Sequence, residues 1–309
     1  MRVLAYVYPG WHPIAERDAS FYPGFTEWDL VYASAPRFPG HVQPRLPLWG
    51  RYDDRDPVAV ERRIALCRDH GVDGWIYGAF WCRGKRVFED ALDRGFLGAA
   101  SGDRYPFALM WANRMPRRVL PVRRTDTPVI EADRLVPADV EDFVAFVRHV
   151  AERYFVRPNY LRVDGRAYFS IFDSTHFMKE LGADGVRLAI ARARAMLASA
   201  GFPAMYLTAI EPNAAWIGQV AGLGFDAVTN YVLLPEWKGP FEQDYQACHR
   251  ARVAQWPQIA AAAGLPYHPS VTPGWDASPR GADFGATRPD KYPWSPVVTG
   301  EHPTHFRAA

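Results

Sequence analysis

Carboxylate side chains occur where several predicted strands of this chain end. Glu27 lies in the long loop after the first strand, Glu211 directly follows an apolar strand, and Asp276 follows the last predicted strand. Glycoside chemistry uses two carboxyl groups, one protonated to assist the leaving group and one ionised as nucleophile or base. We therefore take Glu211, Glu27 and Asp276 as candidate catalytic residues, with Asp173 as a fourth carboxylate at a strand end.

Each carboxylate also has a structural interpretation. Glu27 could anchor its loop by pairing with an arginine, and Asp276, two residues before Ser278, could cap a turn. For Glu211 we favour a role in a site, because the end of a buried strand seldom carries a free carboxylate without a function.

Further side chains at the strand ends suit a carbohydrate ligand. The CH faces of a sugar ring pack on aromatic side chains, and amides, carboxylates and arginines bind its hydroxyls. The predicted substrate-binding residues are Tyr8, His12, Trp81, Trp111, Asn113, Tyr231, Trp275 and Arg280. Aromatic residues make up 14% of the chain and include 11 Trp, more than core filling requires, which favours a surface that stacks apolar faces.

The sequence does not favour a metal or a cofactor. His12, His41 and His268 lack metal-ligand spacing, and the three cysteines form no C-x-x-C pair. The sequence has no glycine-rich phosphate loop, no dinucleotide fingerprint and no G-x-S-x-G elbow. We therefore expect neither a metal nor a cofactor.

Charge and hydropathy limit the expected partners. The formal net charge of +2 provides no concentrated positive field for a nucleic acid. The basic run at 114–124 is interrupted by two prolines and is interpreted as a solvated loop, although an anionic sugar would suit it. The chain shows no signal-peptide pattern and no run of about 18 apolar residues. We expect a cytoplasmic protein with an oligosaccharide or polysaccharide substrate.

Short apolar strands alternate with amphipathic helices along the chain. Strands are predicted over 3–8, 72–80, 107–111, 167–172, 205–210, 225–231 and 267–272, with an Asp164-Gly165 hairpin before the fourth. Helices are predicted over 57–70, 87–97, 137–154, 186–200 and 241–263. This alternation is typical of parallel βαβ units. It predicts an α/β fold, a (β/α)8 TIM-type barrel with its site at the carboxyl ends of the strands.

Seven strands leave such a barrel one unit short. A (β/α)8 barrel closes with eight strands, whereas residues 274–309 contain a loop and the opening turn of a helix. We expect one barrel domain over residues 1–309, with a long first βα loop at 9–56 and the last β/α unit missing from this chain. The alternative is a complete fold in which one unit is misread.

Several motifs together resemble a known family. They include Tyr8-Pro9, Gly24-Phe25-Thr26-Glu27-Trp28, Gln43-Pro44-Arg45-Leu46-Pro47, Trp111-Ala112-Asn113, and Gly274-Trp275-Asp276 with Arg280. The sequence resembles the WbsX-like branch of proteins related to glycoside hydrolase family 99. The resemblance implies a (β/α)8 barrel that acts on a polysaccharide, such as a mannose-containing surface glycan. Family members are described either as hydrolase-like or as glycosyltransferases.

Two departures from the family pattern matter. Members usually continue Trp-Ala-Asn with Glu, whereas Arg114 follows Asn113 here. The paired glutamates of the family resemble a Trp-Asn-Glu-Trp segment that is absent from these residues. Two alternatives to a hydrolase therefore stay open, a non-catalytic carbohydrate-binding barrel and a glycosyltransferase of surface polysaccharide synthesis.

Overall fold

Parallel strands in sequence order form the main sheet. A computed structural model describes residues 1–113, 139–232, 235–284, 290 and 292–308, without the side chains of residues 20 and 282–284. The strands are β1 (Leu4–Val7), β2 (Gly74–Cys82), β3 (Lys85–Val87), β4 (Phe107–Trp111), β5 (Arg162–Val163), β6 (Arg166–Ile171), β7 (Met205–Ile210), β8 (Ala227–Thr229), β9 (Glu242–Asp244), β10 (Tyr267–His268) and β11 (Val297–Thr299). The parallel order is β1-β2-β4-β6-β7-β8-β10.

All seven predicted parallel strands are present. β4 and β7 have the predicted bounds, whereas β8 and β10 are shorter than the predicted 225–231 and 267–272. Pro269 follows β10 directly and has no backbone N–H to continue the ladder. The predicted hairpin is confirmed, because β5 pairs antiparallel with β6 across Asp164 and Gly165, both with positive φ.

The sheet curls toward a barrel. The rings of Tyr6 in β1 and Tyr231 after β8 lie 4.8 Å apart, although four strands separate β1 from β8 in the sheet order. Such a contact requires strong curvature, so the α/β barrel-type fold is confirmed. In the described ranges, β1 and β10 are the two edges of the parallel ladder.

Nine α-helices surround the sheet in the described part of the chain. They are α1 (Ala15–Ser20), α2 (Glu27–Tyr32), α3 (Pro57–Asp69), α4 (Val140–Val150), α5 (Ser174–Ser199), α6 (Val220–Leu223), α7 (Tyr245–Val253), α8 (Trp256–Ala263) and α9 (Pro303–Arg307). Two π-helical turns, Ala91–Phe96 and Ala151–Phe155, and two 3-10 segments, Ile217–Gln219 and Ser278–Phe284, complete the helical structure there.

Two helix predictions are wrong in detail. The first residue of the predicted helix 87–97 is the last residue of β3, which pairs with β2 because Arg83 and Gly84 adopt positive φ and reverse the chain. The π-helical turn begins at Ala91. The segment 241–263 contains β9, α7 and α8 rather than one helix. Asp244 caps α7 through the Ala247 N–H, and Pro257 opens α8, so each helix has its own start.

The two faces of the strands differ in chemistry. Alternate residues of β4, including Phe107 and Trp111, pack on aromatic residues of the surrounding helices and of the 151–160 segment. The concave side carries hydroxyl groups from Tyr6, Tyr168 and Thr229, which lie close together. Strand parity therefore decides which residues near a strand end face the concave site and which face the helices.

Candidate active site

A network of polar side chains surrounds Glu27 at the carboxyl end of β1. The Glu27 carboxylate accepts hydrogen bonds from Arg17 Nη2 at 2.8 Å and from the Tyr8 hydroxyl at 3.3 Å. Arg280 donates to both carboxylate oxygens at 3.3 and 3.4 Å. The Arg17 Nη2 also donates to the Tyr8 hydroxyl at 2.7 Å. The structure thus brings together Tyr8, Glu27 and Arg280, which the sequence predicted separately.

Local sequence positions Glu27 at the start of α2. Thr26 is the N-cap, and its hydroxyl accepts a hydrogen bond from the Trp28 N–H. The Asp29 carboxylate accepts from the Thr26 N–H in return, which completes a capping box. This box fixes the first turn of the helix, so the Glu27 side chain leaves it in a defined direction.

Glu27 is an ionised, buried carboxylate. Its side chain is 6% exposed, and burial alone would raise its pKa. The charges of Arg280 and Arg17 and their hydrogen bonds outweigh burial and lower the pKa of Glu27. A carboxylate held in this way cannot act as a proton donor near neutral pH. The geometry favours the loop-anchoring interpretation of Glu27, and its catalytic role stays a prediction.

Glu211 has the opposite environment. It follows β7 with a left-handed φ of 47°, a conformation that costs a non-glycine residue about 1 kcal/mol or more. Its carboxylate accepts hydrogen bonds from the N–H groups of Tyr231 at 3.1 Å and Val232 at 3.3 Å. Glu211 keeps access to solvent, yet burial of its carboxyl group outweighs these bonds and raises its pKa. These are the properties of a proton donor in a site.

Asp276 connects the long first loop to the segment after β10. Its Oδ2 accepts hydrogen bonds from His41 Nε2 at 2.8 Å and Gln43 Nε2 at 2.5 Å, and its Oδ1 accepts from the Ser278 N–H at 2.9 Å. The last bond matches the turn-capping interpretation and starts the 3-10 segment that carries Arg280. Burial alone would raise the pKa of Asp276, but these hydrogen bonds lower it.

The tautomer of His41 follows from its partners. The Arg37 N–H donates to His41 Nδ1 at 3.1 Å, so that nitrogen is unprotonated in the neutral ring. Nε2 therefore carries the proton and donates to Asp276. The ring also stacks on Phe38 at 4.4 Å between centroids. His41 and Asp276 form a buried structural pair at the start of the 3-10 segment that carries Arg280.

Acid conditions test the Asp276 pair. Because the folded pKa of Asp276 is lowered, its contribution to stability is complete above the unfolded value of about 3.9. The contribution is lost as pH falls through the folded pKa. We expect Asp276→Asn to lower the free energy of unfolding at neutral pH and to flatten its loss below about pH 4. Urea unfolding of both proteins at a series of pH values checks this. An equally steep loss of the free energy of unfolding below about pH 4 in both proteins would contradict it.

His12 and Asn113 are buried and form hydrogen bonds with other segments of the protein. The His12 Nδ1 lies 2.5 Å from Asp54 Oδ1, and both side chains are at most 3% exposed. The Asn113 amide donates to the Asp173 carbonyl at 2.9 Å and accepts from the Asp173 N–H at 2.7 Å, which joins the ends of β4 and β6. Direct contact of either residue with a substrate stays a prediction. Arg114, which replaces the glutamate of the family pattern, lies outside the described residues.

Trp81 and Trp111 lie in the helix-facing core. Trp81 is 7% exposed and stacks on Phe146 at 5.2 Å, and Trp111 is 1% exposed and packs against Phe143 and Phe146. Both lie at strand positions whose side chains face the helices, so neither ring presents a face to a ligand. We therefore leave both out of the site proposed below, although sequence reasoning placed them in it.

A conservative change at Trp81 separates a role in the core from a role in glycan binding. Its Nε1 donates to Asp142 Oδ1 at 2.8 Å, which ties β2 to α4. We expect Trp81→Phe to lower the free energy of unfolding by about 1–2 kcal/mol, because the ring stays apolar but the hydrogen bond is lost. Glycan affinity should not change. Calorimetric titration of the variant checks this, and a large loss of affinity with normal stability would return Trp81 to the site.

Half-buried aromatic rings line the concave side near these polar groups. Tyr231 contacts Phe172 at 4.8 Å between centroids, and Tyr8 contacts Phe80 at 6.3 Å. The charges of both Arg280 and Glu211 act on the Tyr231 hydroxyl, so Tyr231 lies within electrostatic range of both groups. Burial raises the pKa of Tyr8 to about 12, so Tyr8 is a neutral hydroxyl donor at ordinary pH.

Trp275 lies at the periphery of this arrangement. Its ring meets Trp237 edge to face at 5.3 Å, and its carbonyl accepts from the Val298 N–H at 2.9 Å. Trp237 is 55% exposed. A sugar-stacking role for Trp275 stays a prediction.

Arg17, Phe172 and Tyr292 were not among the predicted site residues. Arg17 lies in the short helix α1 within the long loop, and only tertiary contacts reveal its pairing with Glu27. Tyr292 accepts a hydrogen bond from Arg280 Nη1 at 2.7 Å. Phe172 could have been found, because it lies four residues after Tyr168 and therefore faces the same concave side of the sheet.

Neither a metal centre nor a membrane span is indicated in the described ranges. His, Cys, Asp and Glu side chains form no group of three there that could hold an ion. No described helix combines the length and hydropathy required to cross a bilayer.

The fold and the strand-end side chains define a class of protein. A curled sheet of parallel strands with ionisable and aromatic residues at its carboxyl ends is a barrel-type α/β protein. The chain belongs to the family described as Glycosyltransferase WbsX, whose model matches residues 3–293. The family resemblance inferred from the sequence motifs is thereby confirmed.

Other proteins and solved structures resemble this chain. WxcX proteins from two strains of Xanthomonas campestris pv. campestris are 29% identical over 297 residues, covering 92% of this chain and 40% of theirs. The chain thus spans less than half the length of these curated relatives. A GH99 endo-alpha-mannosidase from Bacteroides thetaiotaomicron matches with a TM-score of 0.52 at 14% identity, covering 93% of this chain and 75% of that one. A glycoside hydrolase-like protein matches with a TM-score of 0.58 at 13% identity, covering 99% and 78%. Such identities show a shared fold alone.

Proposed function

We propose that this protein binds a glycan at the carboxyl ends of its strands and hydrolyses a glycosidic bond, in which Glu211 donates its proton to the leaving oxygen as the bond from that oxygen to C1 breaks. Water supplies the oxygen that bonds to C1 and the proton that restores Glu211. The observation that carries the proposal is the environment of Glu211. Its carboxyl group combines solvent access, a raised pKa and a strained backbone beside the half-buried Tyr231 ring. A general acid must hold its proton near the working pH, and a raised pKa serves that purpose.

The other carboxylates have supporting roles in this proposal. Glu27 stays ionised between Arg17 and Arg280 and fixes the orientation of both guanidinium groups. Asp276 holds the turn from which Arg280 projects. Tyr8 supplies a neutral hydroxyl, and Tyr231 supplies a ring on which a sugar face can pack.

The proposed substrate is a polysaccharide that contains α-linked mannose. Support for the sugar comes from the endo-alpha-mannosidases that share the fold, and support for a polysaccharide comes from the family resemblance. The aromatic rings at the strand ends suit a chain of pyranose units, each of which offers an apolar face.

A second candidate function is a carbohydrate-binding barrel without catalysis. It is favoured by the engagement of Glu27 and Asp276, each of which accepts hydrogen bonds from three different residues. Among the candidate catalytic residues, only Glu211 then remains available for proton transfer. The two candidates differ in whether bound glycan is cleaved.

One pair of measurements separates these functions. Calorimetric titration with α-mannotetraose reports binding, and reducing-end analysis of α-mannan after incubation reports cleavage. Binding with cleavage supports the hydrolase, and binding alone supports the carbohydrate-binding barrel. Absence of both, in a protein with a cooperative unfolding transition, would overturn the proposal.

A further inference from the structure

The cluster around Glu27 contains two arginines and one carboxylate. Arg17 and Arg280 both donate hydrogen bonds to Glu27. In the described ranges neither arginine bonds any other carboxylate. Two positive charges and one negative charge leave one positive charge in excess. Charges that are buried away from bulk water are screened weakly, so an excess positive charge in a site favours an anionic ligand.

Arg280 is the cation that a ligand can reach. Its side chain is 28% exposed, whereas that of Arg17 is 3% exposed. Its bonds to Glu27, at 3.3 and 3.4 Å, are longer than the 2.8 Å bond from Arg17. The Arg280 guanidinium carbon also lies 5.7 Å from the centroid of the Tyr8 ring.

Tyr292 completes a set of donors. Its hydroxyl accepts a hydrogen bond from Arg280 Nη1 at 2.7 Å, so its own proton is available for donation. Tyr292 is 44% exposed, which leaves this hydroxyl accessible from solvent. A guanidinium with an adjacent hydroxyl donor matches the oxygens of a carboxylate or a phosphate.

We propose that the glycan bound at this site carries an oxyanion, either a uronate carboxylate or a phosphate substituent, which binds to Arg280 and Tyr292. This inference rests on the proposed function, because it names a substrate class for the same site. Arg17 serves as the buried partner that keeps Glu27 ionised, and Arg280 divides its donors between Glu27 and the ligand. The preferred substrate is therefore an acidic polysaccharide rather than a neutral one.

Binding of three matched disaccharides tests the inference. The probes are α-mannobiose, a disaccharide of glucuronic acid and mannose, and α-mannobiose 6-phosphate, each titrated by calorimetry at low and high ionic strength. We expect at least one charged probe to bind about tenfold tighter than the neutral one at low salt, with a smaller preference at high salt. Preference for the uronate or for the phosphate identifies the source of the oxyanion.

Variants locate the preference within the site. Arg280→Gln should reduce the preference to about twofold or less, and Tyr292→Phe should reduce it in part. Tyr292 is exposed, so its variant keeps the test valid if Arg280→Gln does not fold. Arg192→Gln is the matched control, because Arg192 is 45% exposed on α5 and pairs with Glu141 at the surface.

Each outcome has a defined meaning. Equal affinity for all three probes would overturn the anionic preference and leave the proposed function standing. A preference that persists in both site variants would also overturn it, since the charge would be recognised elsewhere. Failure of every probe to bind would overturn the inference together with the proposed function.

Discussion

Glu211→Gln should reduce the rate of glycosidic cleavage by about 100-fold to 10,000-fold, the usual contribution of a positioned general acid. The amide has the same shape, and its oxygen can still accept from the Tyr231 and Val232 N–H groups. It cannot donate a proton to a leaving oxygen. Affinity for glycan should therefore stay within about threefold of the native value, because binding and proton transfer use different properties of the side chain. Reducing-end analysis of α-mannan measures the rate, and calorimetric titration measures the affinity.

A surface carboxylate supplies the control for this variant. Glu180 is exposed on α5 and lies outside the site, so Glu180→Gln should keep the native rate. The pH dependence has a definite sign, because Glu211 must be protonated. The rate should fall as pH rises through its raised pKa. An undiminished rate in Glu211→Gln would exclude Glu211 as the acid.

Glu27→Gln should lower the free energy of unfolding by about 3–5 kcal/mol, the cost of leaving a buried charge without its partner. Arg17, at 3% side-chain exposure, would lose the carboxylate at 2.8 Å, and its other acceptors among the described residues, the Gly10 carbonyl and the Tyr8 hydroxyl, carry no full charge. Because the pKa of native Glu27 is lowered, its contribution is complete above the unfolded value of about 4.3. It is lost as pH falls through the folded pKa. Urea unfolding at neutral and acid pH measures both effects.

An exposed ion pair provides the comparison. Glu141 pairs with Arg192, and the two side chains are 69% and 45% exposed. Glu141→Gln should change the free energy of unfolding by less than about 1 kcal/mol, because solvent screens this pair. Equal losses in Glu27→Gln and Glu141→Gln would show that burial does not strengthen the Glu27 network.

The sequence contains most of the information on the fold. Apolar runs bounded by Pro and Gly located each parallel strand of the main sheet in the described ranges, two of them with unchanged bounds. Local signals were weaker where tertiary pairing decides the structure. The β2–β3 hairpin and β9 paired with β11 replaced parts of predicted helices, since such short strands form only when a partner strand is present.

The candidate site was predicted less completely. Position after a strand indicated Glu211 and Tyr231, and the structure places these two residues in contact. The same signal selected Trp81 and Trp111, because a residue's place along a strand does not reveal which side of the sheet it faces. The two-residue period counted from Tyr6 leads to Tyr8, which was selected, and counted from Tyr168 it would have added Phe172. No local pattern could link Arg17 to Glu27, because that contact depends on the path of the long loop.

Glu211 is proposed as a protonatable group at a glycan site. Its carboxyl pKa can be measured by 13C NMR of protein labelled at glutamate, with Glu211→Gln to assign the signal, in the absence and presence of α-mannotetraose. We expect a pKa above the ordinary glutamate value of about 4.3 and a signal that shifts when the oligosaccharide binds. An ordinary pKa, together with a signal that saturating oligosaccharide leaves unchanged, would contradict it.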